Sequence, residues 1–181
     1  VEVLDAATDA VAYVDRDGDG DPDERYTAVE LVFLNTVDGH LVVYDDVDVA
    51  ALRAAADRVT VRDGVLIEAD AVRLEAGGDV RIGDGSAIDA SQGVPFPRTG
   101  DVALRAGGDL NARGATVTTA AGGFLFGSAG DIDLTAGGDV DLRSGTFDAS
   151  ATGIFSADGQ IAVTAGGDIR TEGASFDPER E

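Results

Sequence analysis

The sequence contains no cysteine, methionine, tryptophan or lysine. Without cysteine the chain has no disulfide framework, no thiolate metal ligand and no cysteine nucleophile. Long apolar segments are also absent, because no run approaches the roughly 18 residues that a membrane-spanning helix needs. The first residue is Val1, so we expect a processed form or a fragment, with any signal peptide or anchor outside the sequence.

Positive charge is scarce as well. The 181 residues include 13 basic residues, all of them arginine, against 35 Asp and Glu, which gives a formal net charge of -22. A surface this negative repels nucleic-acid phosphates and anionic lipid headgroups, so we expect neither a nucleic-acid partner nor electrostatic docking to membranes. The acid excess without lysine is typical of a halophilic protein, with a generic acidic secreted domain as the alternative.

Glycine and regularly spaced apolar residues are abundant, and together they form an internal repeat. The motif Ala-Gly-Gly-Asp begins at Ala76, Ala106, Ala136 and Ala165, at spacings of 30, 30 and 29 residues. Each copy lies between two short segments in which every second residue is apolar, and a third such segment follows. Alternation over three to five residues predicts a strand with one buried face.

Three short strands per repeat, separated by glycine corners, predict an all-β fold, a parallel β-helix. Each repeat would form one coil, and aligned apolar side chains would bury an interior that a single coil cannot bury alone. Residues 59–69 alternate in the same way around an Asp-Gly pair and are predicted to form an earlier coil. We therefore expect a stack of about five coils.

The segment 132–140, Ile-Asp-Leu-Thr-Ala-Gly-Gly-Asp-Val, resembles the repeat of filamentous-haemagglutinin-type surface proteins. The resemblance covers residues 59–177. It implies a right-handed β-helix in an extracellular or cell-surface protein that acts as an adhesin or a surface fibre. A repeat of this kind specifies a scaffold and leaves the ligand open.

Residues 1–58 lack the repeat and are predicted to form an N-terminal antiparallel cap, followed by β-helix repeats in residues 59–181. Three strands of a hairpin or meander are predicted in the cap, with a turn joining the last two. These strands are expected at residues 10–14, 26–34 and 40–47. Residues 49–58 have the composition of a short helix, which would cover the open end of the coil stack.

The acidic segment 15–24 contains the motif Asp-x-Asp-x-Asp-Gly-x-x-Asp. This spacing resembles the calcium loops of EF-hands, dockerins and integrin-type propellers, in which alternating carboxylates on a tightly turning backbone converge on one hard cation. We therefore predict calcium as a cofactor, with a solvated acidic loop as the alternative. Tyr26 stands where an EF-hand has its last glutamate. The predicted ligands are Asp15, Asp17, Asp19, Asp21 and Asp23.

A second acidic feature recurs once per coil, at the last residue of each Ala-Gly-Gly-Asp motif. This column consists of Asp79, Asp109, Asp139 and Asp168. In-register coils would place these carboxylates about 4.8 Å apart, where like charges repel. We predict that each accepts backbone hydrogen bonds at its own corner, with a cation-binding or mineral-binding ladder as the alternative. A second column is predicted at Asp89, Asp148 and Asp177, interrupted by Thr118.

No catalytic set is evident, and we expect no enzyme. His40 is the only histidine and has no nucleophile or metal ligand beside it in the sequence. The sequence favours a non-enzymatic extracellular β-solenoid with a structural or adhesive role, such as a calcium-stabilised filament subunit that self-associates head to tail or binds other surface proteins. A carbohydrate-binding or polysaccharide-cleaving β-helix, with a glycan as partner, is the first alternative. A bactofilin-like intracellular polymer is the second.

Overall fold

A computed structural model gives the fold of the chain. The described residues are 10–32, 36–91, 100–122, 126–152 and 155–177. Nearly all regular structure in them is β, and one five-residue helix is present. None of the described residues belongs to a helix that is long and apolar enough to cross a membrane.

The strands are short and closely spaced along the chain. The first elements are β1 (Ala10–Asp15), β2 (Glu24–Thr27), α1 (Ala28–Val32), β3 (His40–Val43), β4 (Val47–Val49) and β5 (Leu52–Ala56). They are followed by β6 (Arg58–Val61), β7 (Leu66–Ala69), β8 (Val72–Ala76), β9 (Val80–Ile82) and β10 (Ala87–Asp89). Next come β11 (Val102–Ala106), β12 (Leu110–Asn111), β13 (Thr116–Thr118), β14 (Ala121–Gly122), β15 (Phe126–Ser128), β16 (Ile132–Ala136) and β17 (Val140–Asp141). The last are β18 (Thr146–Asp148), β19 (Ala151–Thr152), β20 (Phe155–Ala157), β21 (Ile161–Ala165), β22 (Ile169–Arg170) and β23 (Ser175–Asp177).

Three sheets contain most of these strands, and each sheet takes one strand from each successive repeat. The first sheet has the order β2-β1-β3-β6-β9-β12-β17-β22, the second β4-β7-β10-β13-β18-β23, and the third β5-β8-β11-β16-β21. Only the pairs of β1 with β2 and β3 are antiparallel within these sheets. Two small parallel sheets, β14 with β19 and β15 with β20, complete the described pairing.

The repeat spacing sets the register of the parallel strands. Leu104 pairs with Leu74 on one side and with Leu134 on the other, so that like residues stack on like. Along β11 the inward residues Val102 and Leu104 are fully buried, whereas the alternate residues Ala103 and Arg105 face outwards. Buried apolar residues from the first strand to the last repeats form one continuous cluster. The predicted interior columns are therefore confirmed, and the parallel all-β architecture is compatible with a β-solenoid.

The helix predicted at residues 49–58 is wrong. This segment contains the last residue of β4, the whole of β5 and the first residue of β6, and β5 pairs in register with β8. Its alternate residues Leu52, Ala54 and Ala56 are buried, which is the period of a strand. Alanine favours helices by only a fraction of a kcal/mol per residue, so burial and edge pairing on the neighbouring repeat outweigh that preference.

A helix forms earlier, inside the segment predicted as a strand at residues 26–34. The strand β2 ends at Thr27 and α1 follows; residues 33–35 lie outside the described chain. Thr27 and Glu30 form a capping box, in which the Thr27 amide donates to the Glu30 carboxylate at 2.8 Å. The Glu30 amide in turn approaches the Thr27 hydroxyl at 3.4 Å. Leu31 is fully buried, and α1 packs against β4 and β5.

The antiparallel part is smaller than predicted. The strand β1 lies between β2 and β3, so the predicted hairpin between the second and third strands is wrong. Parallel pairing starts at β3, which pairs with β6. The earlier repeat predicted at residues 59–69 is confirmed by β6 and β7, and β3 to β5 add a further one before it. As a domain boundary, the division between residues 58 and 59 stays a prediction.

Candidate metal centre

The acidic loop connects the antiparallel strands β1 and β2. It begins at Asp15, the last residue of β1, and the amide of Asp23 donates to the carbonyl of Val14 at 2.9 Å. Gly18 and Gly20 have φ values of 78° and 92°, a region that side chains with a Cβ rarely adopt. These two glycines let the backbone turn tightly enough to bring alternate carboxylates to one place.

Three of the five predicted ligands come together. Asp15, Asp17 and Asp19 each offer one carboxylate oxygen, and these three atoms lie within 4.8 Å of one another. Asp15 is buried, with 5% of its surface exposed, whereas the other two are exposed. Oxygen ligands of this kind suit hard cations such as Ca²⁺ and Mg²⁺. The group could therefore hold a metal ion.

Backbone amides of the loop fix the orientation of these carboxylates. The two oxygens of Asp15 accept hydrogen bonds from the amides of Gly18 at 2.7 Å and Gly20 at 3.0 Å. Asp17 and Asp19 each accept a hydrogen bond from the amide two residues further along, at 3.2 and 2.8 Å. Since a carboxylate oxygen has two lone pairs, these bonds leave acceptor capacity for a cation.

The remaining predicted ligands, Asp21 and Asp23, lie outside the group of three. One oxygen of Asp23 accepts a hydrogen bond from the amide of Arg16 at 2.7 Å, which ties the two ends of the loop together. As metal ligands, Asp21 and Asp23 stay predictions.

Glu24, the last acid of the segment, has partners of its own. The Tyr26 hydroxyl donates to its carboxylate, and the Arg16 guanidinium lies 2.9 Å away. These two hydrogen bonds, that of Tyr26 first, lower the pKa of Glu24. Burial, followed by the hydrogen bond to Glu24, raises the pKa of Tyr26. The tyrosine at the EF-hand glutamate position is thus engaged with Glu24 and is separate from the three-aspartate group.

The column of corner aspartates has a structural explanation. The amide of Asp109 donates to the carboxylate of Asp79 at 3.0 Å, and the same bond recurs from Asp139 and from Asp168 to the preceding member, at 2.8 and 2.9 Å. The predicted role as acceptors of backbone hydrogen bonds is therefore confirmed for Asp79, Asp109 and Asp139. The donor differs from the prediction, because it belongs to the next repeat and not to the same corner.

The second predicted column is also in register, with Thr118 pairing with Asp89 on one side and Asp148 on the other. In this column the aspartates accept hydrogen bonds within their own repeat and not from the next one. The carboxylates of Asp89 and Asp148 accept hydrogen bonds from amides two residues further on, at 2.8 and 2.9 Å.

His40 begins β3 and is half-buried. Its Nε2 atom lies 2.8 Å from the hydroxyl of Thr60. Thr60 lies in the adjacent strand β6, where it pairs with Val42, two residues after His40. Burial, followed by the nearby charge of Arg58, lowers the pKa of His40. Among the described residues, His40 belongs to no group of three or more potential metal ligands.

A groove of about 320 Å³ lies on the outer face of the third sheet. Its charged lining consists of Arg53, Arg73, Arg105, Asp101, Asp131 and Asp133. Sequence reasoning did not identify this groove. The available signal was the 30-residue spacing of Asp101 and Asp131, which places each residue directly before one of the neighbouring strands β11 and β16. The amide of Asp131 donates to the carboxylate of Asp101 at 3.0 Å.

Comparisons of the chain with protein families, with curated proteins and with solved structures find no match.

Proposed function

We propose that the protein is a non-enzymatic structural or adhesive module of the cell surface. In this proposal it is a right-handed parallel β-helix of about five coils that serves as a stalk or as a subunit of a self-associating filament. The observation that carries the proposal is the in-register parallel pairing of segments 30 residues apart. Such a stack gives an elongated scaffold in which each repeat depends on its neighbours.

Calcium is the ion proposed for the acidic loop. Asp15, Asp17 and Asp19 supply three carboxylates from one short loop, and further oxygen ligands would have to come from other loop groups or from water. Ca²⁺ accepts six to eight oxygens in irregular geometry, whereas Mg²⁺ demands a near-ideal octahedron. The proposed effect is stabilisation of the β1–β2 hairpin, which lies at the N-terminal end of the stack. Bound calcium would also offset the repulsion among the clustered carboxylates.

The location can be tested on intact cells of the source organism. Antibodies against the protein should label cells without permeabilisation, and electron microscopy of the purified protein in concentrated salt with calcium should show rods or filaments. Labelling that requires permeabilised cells would contradict the surface location and would favour an intracellular polymer.

The calcium site can be tested by thermal unfolding with calcium and with chelator. At calcium concentrations of about 100 times Kd, binding stabilises the folded state by about 2.7 kcal/mol. For a chain of this size that corresponds to a rise in Tm of about 5–10 °C. Asp19→Ala should abolish the rise. In chelator, the same variant should be about as stable as the wild type, because removal of one like charge from the loop offsets loss of the hydrogen bond from the Asp21 amide.

Asp70→Ala is the matched control, since it removes one exposed carboxylate away from the loop and should keep the full calcium effect. Identical melting curves for the wild-type protein in calcium and in chelator would disprove the site. An equal rise in Tm with magnesium and with calcium would support a metal site in the loop but would contradict a preference for calcium.

A carbohydrate-binding role is the second candidate, favoured by the groove on the third sheet. Its three arginines and three aspartates supply the donors and acceptors that recognise sugar hydroxyls and carboxylates. Binding of acidic polysaccharides, lost in Arg73→Ala and kept in Arg113→Ala, would support this role, because Arg113 lies in the turn between β12 and β13 and does not line the groove. Cleavage of the bound polysaccharide would contradict the non-enzymatic proposal.

A further inference from the structure

The groove on the outer face of the third sheet has a basic half and an acidic half. Arg53 and Arg73 lie side by side in β5 and β8, because they are register partners on adjacent strands. Asp101 and Asp131 directly precede the next two strands, β11 and β16, which also pair in register. Along the stack, two arginines are therefore followed by two aspartates, and all four residues are exposed.

The other charged groups beside the groove have partners within the sheet. The Arg105 guanidinium lies 3.3 Å from the carboxylate of Asp133 and 3.7 Å from that of Glu75. Glu75 also accepts two hydrogen bonds from the Arg73 guanidinium, at 2.9 and 2.5 Å. These contacts balance the charges along one side of the groove and leave those along the other side for a ligand.

Arg53 has no acidic partner because of its place in the sheet. Arg105 meets Asp133, which lies two residues before the register partner of Arg105 on the next strand. The equivalent position for Arg53 is Ala71, and Arg53 forms no ion pair with a described residue. Since Arg53 and Arg73 repel each other across adjacent strands, an anion shared by both guanidinium groups would offset the repulsion.

The acidic half is held in place by the backbone of the next repeats. The Oδ1 atom of Asp101 accepts a hydrogen bond from the amide of Asp131 at 3.0 Å, and that of Asp131 accepts one from the amide of Gln160 at 2.8 Å. Neither carboxylate forms an ion pair with a described residue, so the second oxygen of each is open. Carboxylates on adjacent strands are about 4.8 Å apart and repel, and an ammonium group between them would offset this repulsion.

The size of the groove limits the ligand. Its volume of about 320 Å³ is at the lower end for ligand sites. The midpoint between the two arginine strands lies two strand spacings, or about 10 Å, from the midpoint between the two aspartate strands. A ligand that meets both halves therefore carries its anionic and cationic groups on neighbouring units. The strands β8, β11 and β16 are paired on both sides, so they offer no edge to which an extended peptide could add as a strand.

We infer that the groove binds a glycan segment in which an acidic sugar adjoins an amino sugar with a free ammonium group. Arg53 and Arg73 donate hydrogen bonds to the sugar carboxylate, and Asp101 and Asp131 accept them from the ammonium group. This inference rests on the carbohydrate-binding candidate and names the ligand class of its groove. A glycan with carboxylates alone would bring like charges towards the two aspartates, so the acidic half supplies the selectivity.

Isothermal titration calorimetry of the whole chain with two matched glycans tests the inference. One probe is a hyaluronan oligosaccharide, in which acidic sugars alternate with acetylated amino sugars. The other is the same oligosaccharide after removal of the acetyl groups, at a pH where its amines are protonated and carboxylates are ionised. Salt in the buffer screens the general attraction of ammonium groups to an acidic surface. The protein should bind the deacetylated probe about tenfold or more tightly than the acetylated one.

Four variants assign the two halves. Asp101→Asn should remove the preference for the deacetylated probe. Arg53→Gln should weaken binding of both probes by about tenfold, because the shared carboxylate loses a charged donor. Asp48→Asn on the second sheet and Arg113→Gln make the same changes of charge outside the groove, and both should bind like the wild type. Circular dichroism should show the same fold in all variants.

The outcomes separate this inference from the proposals on which it depends. Equal binding of the two probes, weakened in Arg53→Gln, would overturn the inference and leave the groove as a site for acidic sugars alone. A preference for the deacetylated probe that persists in Asp101→Asn would also overturn it, because the attraction would then come from the acidic surface in general. Failure of both probes to bind would overturn the inference and contradict the carbohydrate-binding candidate. Surface labelling of intact cells tests the structural role separately.

Discussion

At the scale of single residues, His40 should make stability depend on pH near neutrality. Burial and Arg58 lower its pKa below the ordinary value of 6.5 in the folded protein. The unfolded chain therefore binds more protons than the folded one as the pH falls through 6.5, and folding loses stability. We expect the free energy of unfolding to fall between pH 7.5 and pH 5 by more in the wild type than in His40→Gln, measured by urea unfolding.

His40→Gln is the suitable comparison because glutamine can still hydrogen-bond the Thr60 hydroxyl but does not titrate. The protein carries many acidic residues, so only the difference between the two pH profiles reports on the histidine. Parallel profiles for the two proteins would show that burial of His40 does not disfavour its protonation.

At the scale of the elements, the corner between the first and third sheets depends on closely stacked glycines. A Cβ on Gly107 would lie 2.1 Å from the carbonyl oxygen of Gly77 in the preceding repeat, and backbone atoms cannot move aside cheaply. Gly107→Ala should therefore lower the free energy of unfolding by about 1–3 kcal/mol, as overpacking does elsewhere. Thermal and urea unfolding measure the loss.

Gly77→Ala provides a control in the same motif. A Cβ at Gly77 meets no atom within 4 Å, so the substitution should be neutral, or stabilising by about 0.4–1 kcal/mol through the unfolded chain. Equal destabilisation by the two substitutions would mean that the corner glycines are required for their backbone conformation and not for the close approach of neighbouring repeats.

The same elements show what the sequence can and cannot predict. The strands around Leu74, Leu104 and Leu134 were predictable because apolar alternation and the repeat spacing agree, and each repeat supplies the partner of the next. The segment containing β5 was misread because its alanines fit a helix by composition, whereas only the adjacent β8 makes it a strand. For α1 a local signal was present, since Thr27 and Glu30 have the spacing of a capping box.

For the acidic loop, the motif predicted that carboxylates would cluster but did not predict which of the five aspartates would do so. Alternating aspartates and two glycines are local features, and they identified Asp15, Asp17 and Asp19 correctly as neighbours. The hydrogen bond between the Arg16 amide and Asp23 depends on how the hairpin closes. The groove on the third sheet depends on residues from several repeats and on strand order, so spacing alone did not reveal it.

At the scale of the whole molecule, stability comes from contacts between neighbouring repeats, and removing one complete repeat should preserve the fold. Deletion of residues 105–134 joins Leu104 to Thr135 and keeps the alternation of the strand. It also brings Val140 into register with Val80, in place of Leu110. The shortened protein should keep its β-type circular dichroism and cooperative unfolding. Its Tm should fall by about 2–4 °C for each kcal/mol lost with the missing interface.

A deletion shorter by one residue is the control. Removing residues 105–133 joins Leu104 directly to Leu134, so every later residue of the joined strand changes face and Leu134 points outwards. This protein should unfold at a much lower temperature or fail to fold, although the deletion removes one residue fewer. The comparison separates register from chain length, because the two deletions are almost equal in size and differ in phase alone. If both deletions retain the fold equally well, alternation within the joined strand is not what aligns the repeats, and the glycine corners or the backbone hydrogen bonds between corner aspartates must set the register instead.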